Sequence, residues 1–464
     1  MIEMRYAGQG DGETGMTAKL AIIGGGPKAV AIACKAKILT DARVLDCEVH
    51  VFEERAIGAS WSGTNGYTDG LQALCTPAEK DLGFPYAAFP GVPEAAATMM
   101  SQFSWGAFKA SRDYADWIDR GRAPESHAEF AAYLNWAFER GHAILHKRKV
   151  VGLKVANLPG KPVRKGWVVD SEDVPGGTST SPSVVYDGVV VTGHGPARTL
   201  DSVAHTRLFD GKNFWDNQAH RIVRNLVRTQ AITEDHPLVV IGSGGTAAAV
   251  MAWFVRQGFP DLPMILLAQQ ATFFTRGDSV FENRLFSDLT FWRELSHGTR
   301  KNFVDRLTRG VVWQTVMEDL IKLTALRFVE GRATKITSAA AGNLTVDWTR
   351  TLSGAEIKAG APELGSTDAG IVVNATGFDN WWFLDKLPSG AIPTSKAGRA
   401  RLLNRLTDGM GEDLTFRDGW RLPRLHAPFQ SIMVGPGFSS LLALGDMADR
   451  VLRPYIPVSD LPLP

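Results

Sequence analysis

The sequence has little cysteine, and this scarcity excludes several kinds of redox chemistry. Cys34, Cys47 and Cys75 are the only cysteines among 464 residues, and their spacing matches neither a disulfide framework nor a metal site. The C-x-x-C and C-x-x-x-x-C pairs of disulfide reductases are absent. The ligand spacing of iron–sulfur proteins is absent as well. We therefore expect a protein of the reducing cytoplasm that has no metal centre.

Long apolar runs and a strong net charge are also lacking. The formal net charge is +1, so no overall field attracts nucleic acid or an anionic membrane. No stretch approaches the roughly 20 apolar residues of a membrane-spanning helix. Residues 1–17 are polar and glycine-rich and lack the apolar core of a signal peptide. They are predicted to form a flexible N-terminal arm, and we expect no nucleic-acid or membrane partner.

Glycine is abundant, and the stretch "KLAIIGGGPKAVAIACKAKIL" places it in a dinucleotide-binding pattern. Gly24, Gly26 and Ala29 have the spacing G-x-G-x-x-A between an apolar run and a helical pattern. The helix N-terminus would face a pyrophosphate. The next predicted strand ends at Glu53, whose carboxylate would bind a ribose and repel a 2′-phosphate, which favours FAD or NAD. The alternative is a glycine-rich turn without a ligand.

A second stretch, "PLVVIGSGGTAAAVMAWFVRQG", repeats this pattern with Gly242, Gly244 and Ala247. No acid follows its next strand, where Gln269 and Gln270 stand instead, and Arg276 lies nearby. A 2′-phosphate would not be repelled there, so the stretch predicts an NADPH site. The alternative is a degenerate nucleotide-binding fold that only packs.

Each half of the chain then closes on a β-rich run with a similar ending, "VVYDGVVVTGHGP" (184–196) and "AGIVVNATGFD" (369–379). This order resembles that of the flavoproteins with two dinucleotide-binding domains. The resemblance implies an α/β protein with two Rossmann-like domains, one for FAD and one for NADPH, with the second inserted into the first. The predicted FAD domain comprises residues 18–205 and 370–464, and the NADPH domain residues 230–369. A small, mainly helical region within the first domain would contact the substrate.

Several phrases, in this order, resemble the flavin-dependent N-hydroxylating monooxygenases, whose known members include the ornithine and lysine N-hydroxylases of siderophore biosynthesis. The family's K-D-L stands at Lys80–Leu82, and its P-x-R-x-E-F-x-x-Y-x-x-W-A phrase is close to residues 124–137. Its D-S-P-F-V-N-E-x-F phrase is close to residues 278–286, and A-T-G-Phe stands at 375–378. The family's Gly-x-Ser-x-x-Leu-Leu phrase is present as "GFSSLLAL" near the C-terminus.

The resemblance implies roles for particular residues. Lys80 would bind the substrate carboxylate, Asn283 would contact the substrate, and Phe281 and Phe286 would anchor its helix. Gln72 would lie near the flavin. Ser439 or Ser440 would be the site serine of the C-terminal phrase. The catalytic candidates are Gln72, Lys80, Asn283 and Ser439. The cofactor-binding candidates are Gly24, Gly26, Pro27, Ala29, Glu53, Trp61, Gln72, Gly242, Gly244, Thr246, Arg276, Thr376, Gly377, Ser440 and Leu441.

The chain also departs from the family pattern. The family's Asn-Tyr-Ser segment should fall near residues 305–313, where this chain reads "RLTRGVVW". His127 replaces the arginine of P-x-R-x-E-F, and Gln269 replaces the usual basic residue after the second domain's strand. The first departure leaves open which amine is the substrate, and the last weakens the basis for NADPH.

The implied activity is N-hydroxylation of a primary amine with FAD, NAD(P)H and O₂, and the product could be oxidised further to an oxime, nitroso or nitro compound. The expected partners are a small-molecule amine and O₂, and a homo-oligomer is compatible with the sequence. Two alternatives remain open: a flavin monooxygenase acting on a sulfide or ketone, and a non-catalytic flavin-binding homologue.

Overall fold

Two parallel sheets, each with a glycine-rich loop at the end of a central strand, organise the chain. The computed structural model describes residues 17–64, 67–159, 161–177, 184–270, 272–275, 279–307, 311–350 and 363–457. The predicted arm, residues 1–17, lies outside this part except for Thr17. Along the described residues, no helix is long and apolar enough to cross a membrane.

The first sheet has five parallel strands, and the strand before the first glycine-rich loop lies at its centre. Apolar residues of this central strand are buried on both faces, as is typical of a parallel sheet. Leu20 and Ile22 share a core with the helix that follows the glycine-rich loop, and Ala21 and Ile23 share the opposite core with residues such as Trp167. In spatial order the strands are Arg424–His426, Gly188–Val191, Ala18–Ile23, Cys47–Phe52 and Ile144–His146.

The second sheet also has five parallel strands, and the strand before the second glycine-rich loop is again central. In spatial order the strands are Leu326–Glu330, Met264–Ala268, Leu238–Ile241, Ile371–Asn374 and Leu208–Asp210. All of them lie in the chain between Gly188–Val191 and Arg424–His426 of the first sheet. The second domain is therefore inserted into the first, as predicted.

The domain boundaries differ from the predicted ones. Strand Ile371–Asn374 pairs with Leu238–Ile241 in the second sheet, although residues 370–464 were assigned to the first domain. Strands Asp201–Ser202 and Leu208–Asp210 also belong to the second domain. The reason is topological, because the buried run "IVVN" returns from the antiparallel meander to complete its own sheet beside the glycine-rich loop. The A-T-G phrase therefore closes the second domain.

Smaller elements surround each sheet. The first domain carries an antiparallel hairpin and helices, and the second carries an antiparallel meander and helices. The hairpin strands are Arg148–Leu158 and Lys161–Asp173, and the meander strands are Arg332–Ser338, Leu344–Thr349 and Leu364–Ala369. The short strand Asp201–Ser202 pairs in parallel with Arg332–Ser338 at the edge of the meander. First-domain helices are Pro27–Asp41, Ala95–Phe103, Trp105–Ala110, Tyr114–Asp119, His127–Arg140, Lys396–Asp408, Pro436–Ser439 and Leu444–Leu452. Second-domain helices are Asn217–Arg228, Gly245–Arg256, Val280–Ser287, Leu289–Glu294, His297–Leu307 and Gln314–Leu320.

The two connections between the domains run side by side. The amide of Arg198 donates to the carbonyl of Gly377 (2.9 Å), and the amide of Gly195 donates to that of Asp379 (3.2 Å). The His194 ring stacks on Phe378, with 4.3 Å between ring centroids. The two chain segments that connect the domains are therefore hydrogen-bonded to each other. Thr192, before the first segment, lies next to Gly24, and Ala375, before the second, lies next to Gly242.

Candidate active site

The first glycine-rich loop has a geometry suited to a pyrophosphate. Gly24 has a φ of +99°, and a Cβ there would lie 2.7 Å from Oγ1 of Thr192, so the turn requires glycine. At Gly26 an added Cβ would meet no described atom within 4 Å apart from its chain neighbours. Pro27 begins the helix Pro27–Asp41, and Ala29 is fully buried. The space beside Gly26 is therefore open at a helix N-terminus, where a phosphate would fit.

Glu53 organises the same loop. One of its carboxylate oxygens accepts a hydrogen bond from the amide of Gly25 (2.8 Å), and the other accepts one from the amide of Arg55 (2.9 Å). The carboxylate thus lies against the glycine-rich turn, at the end of the neighbouring strand. This is the position from which an acid binds a ribose in the Rossmann pattern.

The second loop repeats the geometry of the first. Gly242 has a φ of +107°, and a Cβ there would lie 2.7 Å from the carbonyl oxygen of Ala375. Gly244 precedes the helix Gly245–Arg256, and an added Cβ would meet no described atom within 4 Å. Thr246 lies in the first turn of that helix. Arg276, the candidate for the 2′-phosphate, lies outside the described residues.

Thr376 and Gly377 lie beside the second loop. Oγ1 of Thr376 donates to Oδ1 of Asn374 (2.7 Å), which is the last residue of the strand adjacent to the loop. Gly377 has a φ of +94°. Thr376 and Gly377 come directly after a strand of the second sheet, so the second domain positions them.

The structure brings Lys80 and Asn283 together although 203 residues separate them. Nζ of Lys80 donates to Oδ1 of Asn283 at 3.2 Å, and both side chains are half-buried. Nζ of Lys80 also lies 5.9 Å from the centre of the Phe84 ring. One residue comes from the first domain and the other from the second, so this pair is a direct contact between the domains.

Asp81 anchors the loop that carries Lys80. Its carboxylate is buried and accepts hydrogen bonds from the amide of Trp105 (2.7 Å), the amide of Gly83 (3.0 Å) and the hydroxyl of Tyr86 (2.7 Å). Burial raises the pKa of Asp81 to about 6 in spite of these donors. The turn that carries Lys80 is therefore held by three hydrogen bonds to the side chain of Asp81.

The helix Val280–Ser287 presents Asn283. Ser279 is its N-cap, and its Oγ accepts from the amide of Glu282 (3.1 Å). Phe286 is 7% exposed, in a cluster with Trp292, and it anchors the helix as predicted. Phe281 does not, because it is 73% exposed. Five residues separate the two phenylalanines, so they face different sides of a helix with 3.6 residues per turn.

The C-terminal phrase packs against both the glycine-rich loop and this helix. Oγ of Ser439 donates to the carbonyl of Pro436 (3.0 Å), and Oγ of Ser440 donates to that of Gly437 (3.1 Å). A Cβ at Gly437 would clash with the carbonyl oxygen of Phe286, so glycine allows the close approach. Leu441 packs on the first-domain core. Ser439 and Asn283 are thus carried by elements in direct contact.

Gln72 is buried beside His127 and Trp61. Oε1 of Gln72 has no hydrogen-bond partner among the described residues, as expected of a group that would meet a ligand. The amide of His127 donates to the carbonyl of Gln72 (2.9 Å), and the Trp61 ring packs edge-on against the His127 ring at 4.7 Å. Burial lowers the pKa of His127 to about 4, so this ring is neutral where relatives of the predicted family carry an arginine.

An ion pair between Arg256 and Asp69 connects the two domains next to Gln72, and it was not predicted from the sequence. Nη2 of Arg256 lies 2.9 Å from Oδ2 of Asp69, which is almost fully buried. The other oxygen of Asp69 accepts from the amides of Leu71 (3.0 Å) and Gln72 (3.2 Å). Asp69 therefore links Arg256 of the second domain to the backbone amide of Gln72 in the first. No local pattern in the sequence pairs these two charges.

A cavity of about 230 Å³ lies beside the Lys80 turn, between the two domains. Three buried polar atoms of its lining residues lack partners among the described residues: Oγ1 of Thr76, Nε1 of Trp117 and Oγ1 of Thr315. The second domain contributes Trp313, Gln314 and Thr315, which follow the segment where the sequence departs from the predicted family. Neither Lys80 nor Asn283 is among its lining residues, so this cavity is a neighbour of their contact and is itself large enough only for a small organic molecule.

Comparison with known proteins identifies a family. The model of the family described as L-lysine 6-monooxygenase/L-ornithine 5-monooxygenase matches residues 96–380. The L-lysine N6-monooxygenase MbtG of Mycobacterium sp. (strain MCS) is 33% identical over 447 residues, covering 94% of this chain and 95% of that protein. MbtG of Mycobacterium tuberculosis (strain H37Rv) is 32% identical over 450 residues, with coverage of 94% and 95%.

Solved structures extend the likeness to the whole fold. The lysine monooxygenase NbtG from Nocardia farcinica has 28% identity and a TM-score of 0.71, covering 94% of this chain and 99% of that one. The ornithine N-hydroxylase KtzI from Kutzneria sp. 744, solved with reduced FAD, NADP⁺ and L-ornithine, has 19% identity and a TM-score of 0.67. The coverage for KtzI is 95% of this chain and 99% of that one, and this likeness supports the fold alone.

Proposed function

Because the chain belongs to the L-lysine 6-monooxygenase/L-ornithine 5-monooxygenase family, we propose that it N-hydroxylates the side-chain amine of lysine or of a closely related amino acid. It is a flavin-dependent N-hydroxylating monooxygenase that uses FAD, NADPH and O₂. Among primary amines, the proposed substrate is therefore one that also bears a carboxylate. The hydroxylamine product would serve siderophore or other secondary-metabolite biosynthesis.

The contact between Lys80 and Asn283 carries this proposal. A half-buried ammonium next to an amide, at 3.2 Å, suits a zwitterionic ligand, because the ammonium binds its carboxylate and the amide orients its polar groups. An apolar sulfide would gain nothing from either group and would leave them poorly hydrogen-bonded. The site therefore favours an amino acid over a sulfide or ketone.

The roles of the chain's own residues follow from their positions. Bound FAD, once reduced by NADPH, supplies the activation of O₂ that the protein's side chains cannot provide. Lys80 binds the substrate carboxylate, and Asn283 holds Lys80 and contacts the substrate. Gln72 would face the flavin, and its burial and the partnerless Oε1 among the described residues support this role. Exclusion of water from the closed site would protect the activated oxygen from decay. A partly desolvated pocket also favours the neutral form of the substrate amine, which is the nucleophilic form.

A screen of small molecules for stimulated NADPH oxidation tests the proposal. Lysine or a related diamino acid should increase NADPH consumption and yield a product that is one oxygen atom heavier. Nε-acetyl-lysine is the matched control, because it keeps the carboxylate and the α-amine and lacks the basic side-chain amine. Oxidation of a thioether or ketone instead would favour the alternative monooxygenase, and a yellow protein that no compound stimulates would indicate a non-catalytic homologue.

NADPH should be preferred over NADH, although the preference should be moderate. No acid follows strand Met264–Ala268, and Gln269 is exposed where a basic residue is usual in the family. One charge-assisted contact, which we assign to Arg276, is worth roughly 1.5–3 kcal/mol, or about 10- to 100-fold in affinity. The preference is measured as the ratio of kcat/KM for NADPH to that for NADH. Arg276→Ala should remove the preference without changing the kinetics with NADH. A wild-type ratio favouring NADH would refute the assignment.

Two further expectations stay within this proposal. The protein is expected to act in the cytoplasm, where its NADPH and amino-acid substrates are found. A homo-oligomer is compatible with the fold, and the molecular mass of the protein in solution would show whether one forms.

A further inference from the structure

Lys28 is a buried lysine at an unusual place, the first turn of the helix that follows the first glycine-rich loop. Its side chain is 4% exposed. The N-terminal end of a helix carries a partial positive charge, so a cation there is disfavoured, and acidic side chains are the common choice. No acidic residue lies in this first turn. Both the burial and the helix dipole destabilise the charged form of Lys28, so other interactions must stabilise it.

The compensating contacts come from the far end of the chain. Nζ of Lys28 donates to the carbonyl oxygen of Phe438 (2.6 Å) and to that of Ser440 (2.6 Å), about 410 residues away. It also lies 5.5 Å from the centre of the Phe429 ring. One amino group therefore ties the C-terminal phrase "GFSSLLAL" to the glycine-rich loop, through backbone atoms on either side of Ser439.

These contacts hold Lys28 without a full counter-charge. All three partners are neutral, and burial lowers the pKa of Lys28 to about 7, with no carboxylate of the described residues acting against this shift. A purely structural contact at this point could be made by an apolar side chain at lower cost. The cofactor's phosphates, which a helix N-terminus of this pattern binds, would supply the missing negative charge.

We propose that Lys28 is a positioning residue of the FAD site, which holds the segment from Phe438 to Leu441 against the first glycine-rich loop and so completes the site around the cofactor. The inference rests on the proposed assignment of Ser440 and Leu441 to FAD binding. Lys28 acts through the backbone of this segment and through its charge, and it takes no part in the oxidation of the amine.

Lys35 offers a matched control on the same helix. Its Nζ lies 2.9 Å from Oδ1 of Asp449, and its side chain is 2% exposed. This pair also links the helix Pro27–Asp41 to the C-terminal part of the chain, at the helix Leu444–Leu452. It lies about two helical turns, roughly 10 Å, farther from the glycine-rich loop. Loss of Lys35 therefore breaks a buried lysine contact between the same parts of the fold without touching the segment of Ser439.

The experiment compares Lys28→Met and Lys35→Met. The dissociation constant for FAD is measured by fluorescence titration of the apo-proteins, and the Tm of each apo-protein is measured alongside. Lys28→Met should weaken FAD binding about 10- to 100-fold. Lys35→Met should lower the Tm and keep the wild-type affinity for FAD. Unchanged FAD affinity in Lys28→Met, or equal weakening in both variants, would overturn the proposal.

A measurement on the wild-type protein covers the case in which Lys28→Met does not fold. Acetic anhydride is used to acetylate apo-protein and FAD-bound protein, and mass spectrometry follows Lys28 and Lys35. FAD should slow acetylation of Lys28 at least tenfold and leave that of Lys35 unchanged. Equal rates at Lys28 with and without FAD would overturn the proposal. FAD binding and amine-stimulated turnover in the wild-type protein test the proposed function separately, so either idea can fail alone.

Discussion

Gly26→Val is expected to give a folded protein that contains no FAD and is therefore colourless. The backbone at Gly26 has φ −85° and ψ −173°, which valine adopts without strain, and an added Cβ would meet no described atom within 4 Å. The side chain would thus cost the fold little. It would, however, occupy the open space at the helix N-terminus to which we assign the pyrophosphate. The absorbance of the purified protein near the flavin bands, together with its circular dichroism, measures both parts of this result.

Gly244→Val is the matched control in the other domain. Its backbone has nearly the same conformation, with φ −91° and ψ −173°, and an added Cβ there also meets open space. This variant should stay yellow and be reduced by dithionite, but NADPH should no longer reduce it. If Gly26→Val were yellow with normal turnover, or if the two variants lost the same cofactor, the assignment of the two loops would be wrong.

Lys80→Ala and Asn283→Ala are expected to uncouple NADPH oxidation from amine hydroxylation. Neither residue belongs to a glycine-rich loop, so FAD content and flavin reduction should remain. Without a held substrate carboxylate, the amine is no longer kept in line, and O₂ consumption should end in hydrogen peroxide. Loss of a charge-assisted hydrogen bond costs about 2 kcal/mol, which would reduce coupled product formation roughly 30-fold. NADPH consumed, peroxide released and hydroxylamine formed are measured together.

Phe281→Ala provides the control on the same helix, because Phe281 is exposed and its loss should leave coupling unchanged. The double variant Lys80→Ala/Asn283→Ala should be little worse than either single variant, since the two side chains act as one contact. A packing role for Asn283 predicts a different pattern, in which Asn283→Ala lowers the Tm and keeps the wild-type ratio of product to peroxide. Wild-type coupling in both single variants would show that this pair does not position the substrate.

Local features were predictable from the sequence because neighbouring residues encode them. Each glycine-rich loop is a run of contiguous residues, in which an apolar strand, a turn that needs glycine and a helix follow one another. The spacing of Gly24 and Gly26, and of Gly242 and Gly244, therefore predicted both loops, and the resemblance of the motif order to that of flavoproteins with two dinucleotide-binding domains implied the insertion of one domain into the other. Ser279 as a helix N-cap belongs to the same class, since Ser-x-x-Glu is a local signal.

Features that depend on distant residues came only from the tertiary structure. The sequence and its resemblance to the family named Lys80 and Asn283, but the 3.2 Å contact between them requires both domains to be in place. The same holds for Arg256 with Asp69 and for Lys28 with the C-terminal phrase. Strand Ile371–Asn374 has apolar residues suited to either sheet, and its hydrogen bonds to Leu238–Ile241 decide its domain. Pairing over such distances is determined by the packing of whole elements, and neither spacing nor periodicity within one segment encodes it.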